Sequence, residues 1–433
     1  MTKAWGWGRY PVVDTDLLLP RCAQDVVDAL ADGPLIPRGL GRSYGDSSLA
    51  DRTLEMTALD RFIAFDSDTG LLTVEAGVSL SEILSVLVPR GWFLPVTPGT
   101  RFVTVGGAIA SDVHGKNHHK HGSFSDHVVS FRLLLGTGEV LELSPSTHPD
   151  LFQATCGGMG LTGVILQATV AMRRIQSSNI DETVIKATSL DAALSIFAEH
   201  ENATYSVAWI DLLASGQALG RSLVMLGEHA CDGVLETTTP ASATVPFDMP
   251  SALLNKASVA AFNKFYYGCV RGEVVERRVP FESFFYPLDH VSQWNRLYGK
   301  AGMLQYQLAI PFGDSPDVLR EIVERIAQAG LASPLAVLKV FGDGNQNFMS
   351  FPMPGYTLAL DFRATARAFA LADELDRLVI GAGGRLYLTK DSRMSAETLR
   401  AGYPRIDEFE EARRKYSAIG AFASAQSIRL GLE

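Results

Sequence analysis

Over the first 175 residues the apolar positions come in short bursts broken by glycine and proline. The runs Gly33–Gly39, Leu71–Gly77 and Gly163–Val170 have the length and the β-branched content of strands. Two stretches instead show helical spacing: Cys22–Leu30, and Ser79–Arg90, where Leu80, Ile83, Leu84 and Leu87 fall on one face. Past residue 178 the helical patterns lengthen, as in Ser189–Glu199 and Pro316–Ala329, and they alternate with strand patterns at Leu304–Ile310 and Tyr356–Phe362. This alternation predicts an antiparallel sheet carrying helices on one face. The last fifty residues, from Gly383, read as a strand followed by charged helices and are predicted to return to the first part. The chain is therefore expected to be α+β in three stretches, 1–178, 179–383 and 384–433.

Composition narrows the function. With 433 residues, 47% of them hydrophobic, more than one core is affordable. A formal charge of −10 leaves no cationic excess to neutralise a phosphate backbone, so no nucleic-acid partner is expected. Cys22, Cys156, Cys231 and Cys269 are far apart and form no CxxC pair, which points to reduced thiols and away from a zinc site. No run reaches the roughly 18 apolar residues a membrane span needs, and the first residues lack an apolar signal core. A cytoplasmic protein, at most peripheral at the inner membrane surface, is the expectation.

Candidate chemistry lies in three glycine clusters. Pro37-Arg38-Gly39-Leu40-Gly41-Arg42-Ser43-Tyr44-Gly45-Asp46 follows an apolar run and can cradle a pyrophosphate with backbone N–H groups, although its spacing is not the GxGxxG of a dinucleotide fold. Thr104-Val105-Gly106-Gly107-Ala108-Ile109-Ala110-Ser111-Asp112-Val113-His114 lets backbone approach a large flat ligand, and Cys156–Gly163 adds further glycines. Together they suggest one extended cofactor. His114, His118, His119, His121 and His127 lie close in sequence, but their spacing does not suit facing ligands, so no metal is expected. Gln305 and Gln307, at i and i+2 of a strand, project to one face.

These clusters resemble, in this order, the vanillyl-alcohol oxidase and para-cresol methylhydroxylase FAD superfamily, and within it the decaprenylphosphoryl-β-D-ribose oxidase family. The likeness runs from Gly6-Trp7-Gly8-Arg9 through GLGRSYGD, HGKNHH, CGGMGLTG, Trp294-Asn295-Arg296, LQYQ and FPMPG to Gly384-Arg385-Leu386-Tyr387 and Lys390-Asp391-Ser392-Arg393. It implies a two-part FAD-binding domain (1–178 and 384–433) and a substrate-binding cap (179–383). The residues it implies for FAD are Arg38, Gly39, Leu40, Gly41, Arg42, Ser43, Tyr44, Gly45, Asp46 and Ser47 at the pyrophosphate, Gly99, Thr104, Val105, Gly106, Gly107, Ser111, Asp112, Val113 and His114 around the flavin, Ile165 near the adenine, and Tyr387. Covalent members bond the flavin through a histidine where this chain has Arg42, so FAD is expected to be non-covalent. Lys390 matches the family's active-site lysine; read alone it would be a surface charge. Lys390, His114 and Tyr44 are the implied catalytic groups, and Lys116, Gln305, Gln307, Lys339 and Lys390 the implied substrate contacts, with Lys339 facing a phosphate.

The resemblance further implies oxidation of the 2-hydroxyl of a polyprenyl-phosphoryl ribose to the 2-keto sugar, with a separate NADH-dependent reductase completing epimerisation to an arabinose donor. An oxidase of soluble alditols, aldonolactones or secondary-metabolite sugars is the alternative. Two departures stand out: Ala359 replaces a cysteine of the mycobacterial members, and Thr357 replaces an asparagine. The aromatic stretch Val245–Gly268 reads either as a buried helix or as an apolar lid that rests on a membrane.

Overall fold

The structure is a computed structural model that describes residues 1–237, 243–250, 253–313, 315–331 and 333–432. Two sheets build the amino-terminal part. The first has four strands in the order Thr2–Trp5, Val12–Leu18, Arg52–Glu55, Ile36–Arg38; the last three run parallel. The second is antiparallel, in the order Phe62–Asp66, Leu71–Glu75, Val164–Ala171, Val128–Leu134, Val140–Leu143. The amphipathic stretch after Gly77 forms the helix Leu80–Leu87. It starts at Ser79 because Ser79 and Glu82 cap each other's backbone N–H, and it buries Leu80, Ile83, Leu84 and Leu87. The helix Ala23–Ala31 occupies the other stretch of helical spacing.

Residues 179–383, called the cap below, form with Arg385–Leu386 of the last stretch one eight-stranded sheet in the order Val274–Pro280, Asn179–Ala187, Ser222–His229, Tyr205–Ile210, Ala336–Phe341, Gly355–Arg363, Met303–Pro311, Arg385–Leu386, every neighbour antiparallel. Strand alternation divides its two faces. Ala208, Val224, Leu226, Leu304, Leu308, Leu338, Leu358 and Leu360 pack with residues of the helices Leu190–Glu199, Ser315–Ala329 and Ala366–Gly381. The intervening Trp209, Leu223, Gln305, Gln307, Lys339 and Ala359 look the other way, the last four into the cavity described below.

The helices are not confined to one face. Lys256–Cys269 is a helix capped by Asn255, and it lies on the opposite side, where Tyr267 packs against the cluster of Val184, Trp209 and Leu223. Within the 245–268 stretch, residues 251 and 252 lie outside the described residues. The buried-helix reading of that stretch needs correction: the helix buries only Val259 and Asn263, leaving Phe262 at 43% and Phe265 at 71% exposure. Among the described residues no helix is long and apolar enough to cross a membrane.

After the strand Arg385–Leu386, the helices Ala396–Gly402, Ile406–Lys415 and Ala425–Leu430 close the chain. Phe422 bridges to Leu35 and joins a core containing Val26, Leu54 and Val164, so the carboxy-terminal segment packs onto the first two sheets. Arg429 ties it down further. Its guanidinium makes a bidentate pair with Asp46 (2.8 and 3.1 Å) and a third bond to Asp391 (2.8 Å).

Candidate active site

A cavity of about 300 Å³ opens between the amino-terminal sheets and the face of the cap sheet turned away from the helices Leu190–Glu199, Ser315–Ala329 and Ala366–Gly381. It is of the size that takes small molecules. Most of its wall comes from places far apart in sequence: the 37–48 loop, the 98–114 stretch, the 155–165 stretch, the 288–294 stretch, and the cap face with the Tyr387–Lys390 turn. Close packing explains why the first wall needs glycine. A Cβ at Gly39 would stand 2.3 Å from Thr104 Oγ1, and Gly41 has φ +63°, which glycine adopts without strain. At Gly99 a Cβ would meet nothing within 4 Å, so there the backbone itself faces open space.

The wall residues are fixed by backbone bonds between segments. Tyr44 N–H donates to Thr389 O (3.0 Å), which brings Lys390 over the first loop: its Nζ lies 4.0 Å from the centre of the Tyr44 ring. Tyr387 O–H donates to Ser111 O (3.0 Å). Arg42 is held between two rings, its guanidinium carbon 4.0 Å from the centre of Trp7 and 5.3 Å from that of Phe102.

Burial sets the electrostatics. It draws Lys390 down to about 7, opposed by the charge of Asp361, and Lys339 down to about 8. Neither ammonium has a hydrogen bond or ion pair to its side chain among the described residues. Burial, then Lys339, push His114 well below the ordinary imidazole value, so it is neutral. The Gln307 amide donates to His114 Nε2 (3.0 Å), which leaves the ring proton on Nδ1, and that atom is buried without a partner. Ser48 Oγ, on the same cavity, is likewise buried and unpartnered. A buried donor without an acceptor costs about 1–3 kcal/mol, so both atoms suit a polar ligand that reaches them. A glycine-lined cleft with orphaned polar groups on its wall fits FAD.

Of the residues singled out in the sequence, Arg38 to Tyr44, Ser47, Gly99, Thr104, Gly106, Gly107, Ser111, Val113, His114, Ile165, Gln305, Gln307, Lys339, Tyr387 and Lys390 line the cavity. Five do not. Gly45 is wedged under Asp391, where a Cβ would sit 1.8 Å from the Asp391 carbonyl oxygen; Asp46 is spent on Arg429. Val105 is fully buried in the core behind the glycines. Asp112 accepts from Ser125 N, Asn345, Asn347 and Ser350, and so anchors the 345–350 loop. Lys116 turns away from the cavity: its ammonium donates to Phe284 O and lies 4.1 Å from the Phe284 ring centre, and burial lowers it to about 7.

The remaining histidines serve local structure. His118 Nδ1 accepts from Gly342 N (3.2 Å), and His119 Nε2 and His127 Nε2 meet the carbonyls of Ala203 and His121 at 2.8 Å. Among the described residues no group of three or more His, Cys, Asp and Glu could hold a metal ion. Two acidic groups escaped the sequence reading. Asp289 is on the wall and accepts from Thr100 Oγ1 (2.7 Å) and Arg101 N (2.9 Å). Asp361, two residues beyond Ala359 on the same strand face, is 1% exposed and accepts from Gln305 Nε2 (2.5 Å). The period-2 alternation from Ala359 was the available signal for Asp361; Asp289 carried none.

Comparison with known proteins agrees with this chemistry. Residues 17–144 match the model of an FAD binding domain. The chain is 40% identical, over 99% of its length and 97% of the relative's, to decaprenylphosphoryl-β-D-ribose oxidase of Mycolicibacterium smegmatis. An uncharacterized Streptomyces coelicolor protein is 35% identical over 82% of this chain and all of its own. Bovine L-gulonolactone oxidase is 32% identical, but over only 35% of this chain and 34% of that enzyme, too little to carry a substrate across.

Proposed function

We infer the activity from one premise: the chain belongs to the decaprenylphosphoryl-β-D-ribose oxidase family, and it is an FAD-dependent oxidoreductase. The reaction is oxidation of the 2-hydroxyl of a polyprenyl-phosphoryl ribose to the 2-keto sugar, the first half of an epimerisation. FAD supplies the hydride acceptor. The chain's own groups do the rest. Gln305 and Gln307 orient the sugar from the cap sheet, Lys339 meets the phosphate, and Lys390 holds the reacting hydroxyl and stabilises developing negative charge. Neutral His114 and Tyr44 complete the polar end as hydrogen-bond donors, through Nδ1–H and the phenol O–H.

The observation that supports this assignment most is the pair of buried, unpaired ammonium groups, Lys390 and Lys339, on one wall of a glycine-lined cleft. Two desolvated ammonium groups with no hydrogen bond or ion pair among the described residues suit a substrate that carries both a reacting oxygen and a phosphate. A separate NADH-dependent reductase then converts the keto sugar. The lipid-linked substrate places the enzyme at the cytoplasmic membrane surface, where exposed Phe262 and Phe265 beside Lys264 form a peripheral contact.

Anaerobic addition of prenyl-phosphoryl ribose should bleach the yellow protein, whereas free alditols and aldonolactones should not; bleaching by the soluble sugars alone would refute the substrate. In the same assay with vesicles, Phe265→Ser should slow reduction by long-chain substrate and spare a short-chain analogue. Equal rates for both would remove the membrane contact. Arg42 offers no nucleophile to the flavin because guanidinium stays protonated. Acid precipitation should therefore release the colour into the supernatant, and colour retained in the pellet would contradict non-covalent binding.

A further inference from the structure

Hydrogen bonds among its own side chains give the cap-sheet wall of the cavity a polarity. Strand pairing sets Gln305 opposite Asp361, Gln307 opposite Ala359 and Lys339 opposite Thr357 on one face of the sheet. Both glutamines line the cavity, whereas Asp361 and Thr357 do not and are each 1% exposed. Gln305 donates through Nε2 to Asp361 Oδ1 (2.5 Å). Gln307 donates through its one amide nitrogen to His114 Nε2 (3.0 Å) and to Thr357 Oγ1 (3.3 Å). An amide nitrogen only donates and a carboxylate only accepts. Turning the Gln305 amide over would therefore set oxygen against oxygen away from water. Burial pushes the Tyr44 phenol well up, and the Gln305 amide acts against burial, as a donor to the phenol oxygen does. The amide hydrogens are thus spent inside the wall. Neither glutamine oxygen accepts a hydrogen bond among the described residues.

We infer that Asp361, and Thr357 together with His114, are positioning residues that turn the oxygens of Gln305 and Gln307 toward the cavity, so that the cap wall offers fixed acceptors and selects its substrate by hydroxyl donors. This rests on the substrate reading given above and deepens it. A ribose that carries its phosphate on the anomeric carbon keeps three hydroxyls. Lys390 takes the one that reacts, and the other two remain for the two glutamine oxygens. The phosphate only accepts, and it falls to the Lys339 ammonium, which only donates. A sugar lacking one of the unreactive hydroxyls leaves a glutamine oxygen unpaired in a dry site, which is how a polar pocket rejects an analogue.

Anaerobic flavin reduction by short-chain prenyl-phosphoryl ribose is compared with reduction by the two analogues that each lack one unreactive hydroxyl. Either deletion should raise the half-saturating concentration of the parent protein about tenfold and change the limiting rate less. Asp361→Asn frees the Gln305 amide to turn over, so one deletion should lose its effect, falling to about threefold or less. Thr357→Val should weaken the effect of the other deletion. A parent indifferent to both deletions, or variants that handle all three sugars uniformly worse, would overturn the inference. A second measurement uses no substrate: proton–nitrogen spectra of the holoprotein, isotope-labelled at its glutamine side chains. They are recorded at about pH 8, above the value of about 7 to which burial raises Asp361. An amide proton of Gln305, identified by its absence from Gln305→Glu, should lie downfield of ordinary glutamine side chains because a carboxylate accepts it at short range. An ordinary position would refute the orientation even if Asp361→Asn does not fold. A downfield proton in a protein that prenyl-phosphoryl ribose fails to reduce would uphold the polarity of the wall and reject the substrate.

Discussion

Lys390→Ala should emerge as a yellow protein that binds FAD as the parent does and is reduced by substrate about 100-fold or more slowly. The lysine stands over the Tyr44 ring on the cavity that Gln305, Gln307 and Lys339 also line, and it makes no hydrogen bond to the glycine backbone of the 39–47 loop among the described residues. Its loss removes charge at the reacting centre, where burial makes that charge count, and leaves the cradle intact. Stopped-flow reduction under nitrogen separates the two effects, since flavin content is read from the same sample. Reduction within about threefold of the parent rate would reject the assignment.

The largest loss of stability is expected from Arg429→Met. The side chains of Asp46 and Asp391 are 5% and 4% exposed, and Arg429 is the cation that pairs with both. Removing it strands two carboxylates side by side out of water, which typically costs about 3–5 kcal/mol. The denaturation midpoint should fall accordingly, and Asp46→Asn in the Arg429→Met background should recover part of the loss. A loss below about 1 kcal/mol would put the trio among ordinary surface pairs. The same variant should release flavin more readily, because Asp46 closes the first loop and Asp391 adjoins Lys390.

The elements legible in the sequence were those with a strong period of their own. Leu80, Ile83, Leu84 and Leu87 define a helix by spacing alone, and the strands Met303–Pro311 and Gly355–Arg363 alternate cleanly because one face packs on helices and the other lines a cavity. The strand Ile36–Arg38 is only three residues long and depends on a parallel neighbour from another stretch of chain, so its limits could not be read locally. The aromatic run near residue 262 suggested burial by its hydrophobicity; most of it is exposed because the helix touches the sheet only along one narrow side.

At the cavity, the glycine runs announced themselves, since several small residues in a row have few other uses. Direction was harder to foresee. Lys116 is two residues from His114, yet Gly115 packs so tightly on Thr97 that the chain turns and sends the lysine under Phe284. Asp361 was hidden for a different reason: an aspartate in an apolar strand looks like an edge position until the pairing of Gln305 with it is known.

The tether formed by Arg429 also orders events during synthesis. A ribosome releases the glycine loops of residues 37–48 and 98–114 first, and the strands of the cap next. Lys390 and the guanidinium that docks its segment come from the final stretch. Folding proceeds from the leading end of a growing chain, so a nascent polypeptide carries most of the glycine-lined cavity wall before it owns Lys390. A chain that stops between residues 114 and 390 has the glycine-rich walls without Lys390, and one that stops between 391 and 429 has Lys390 without the guanidinium that docks its segment.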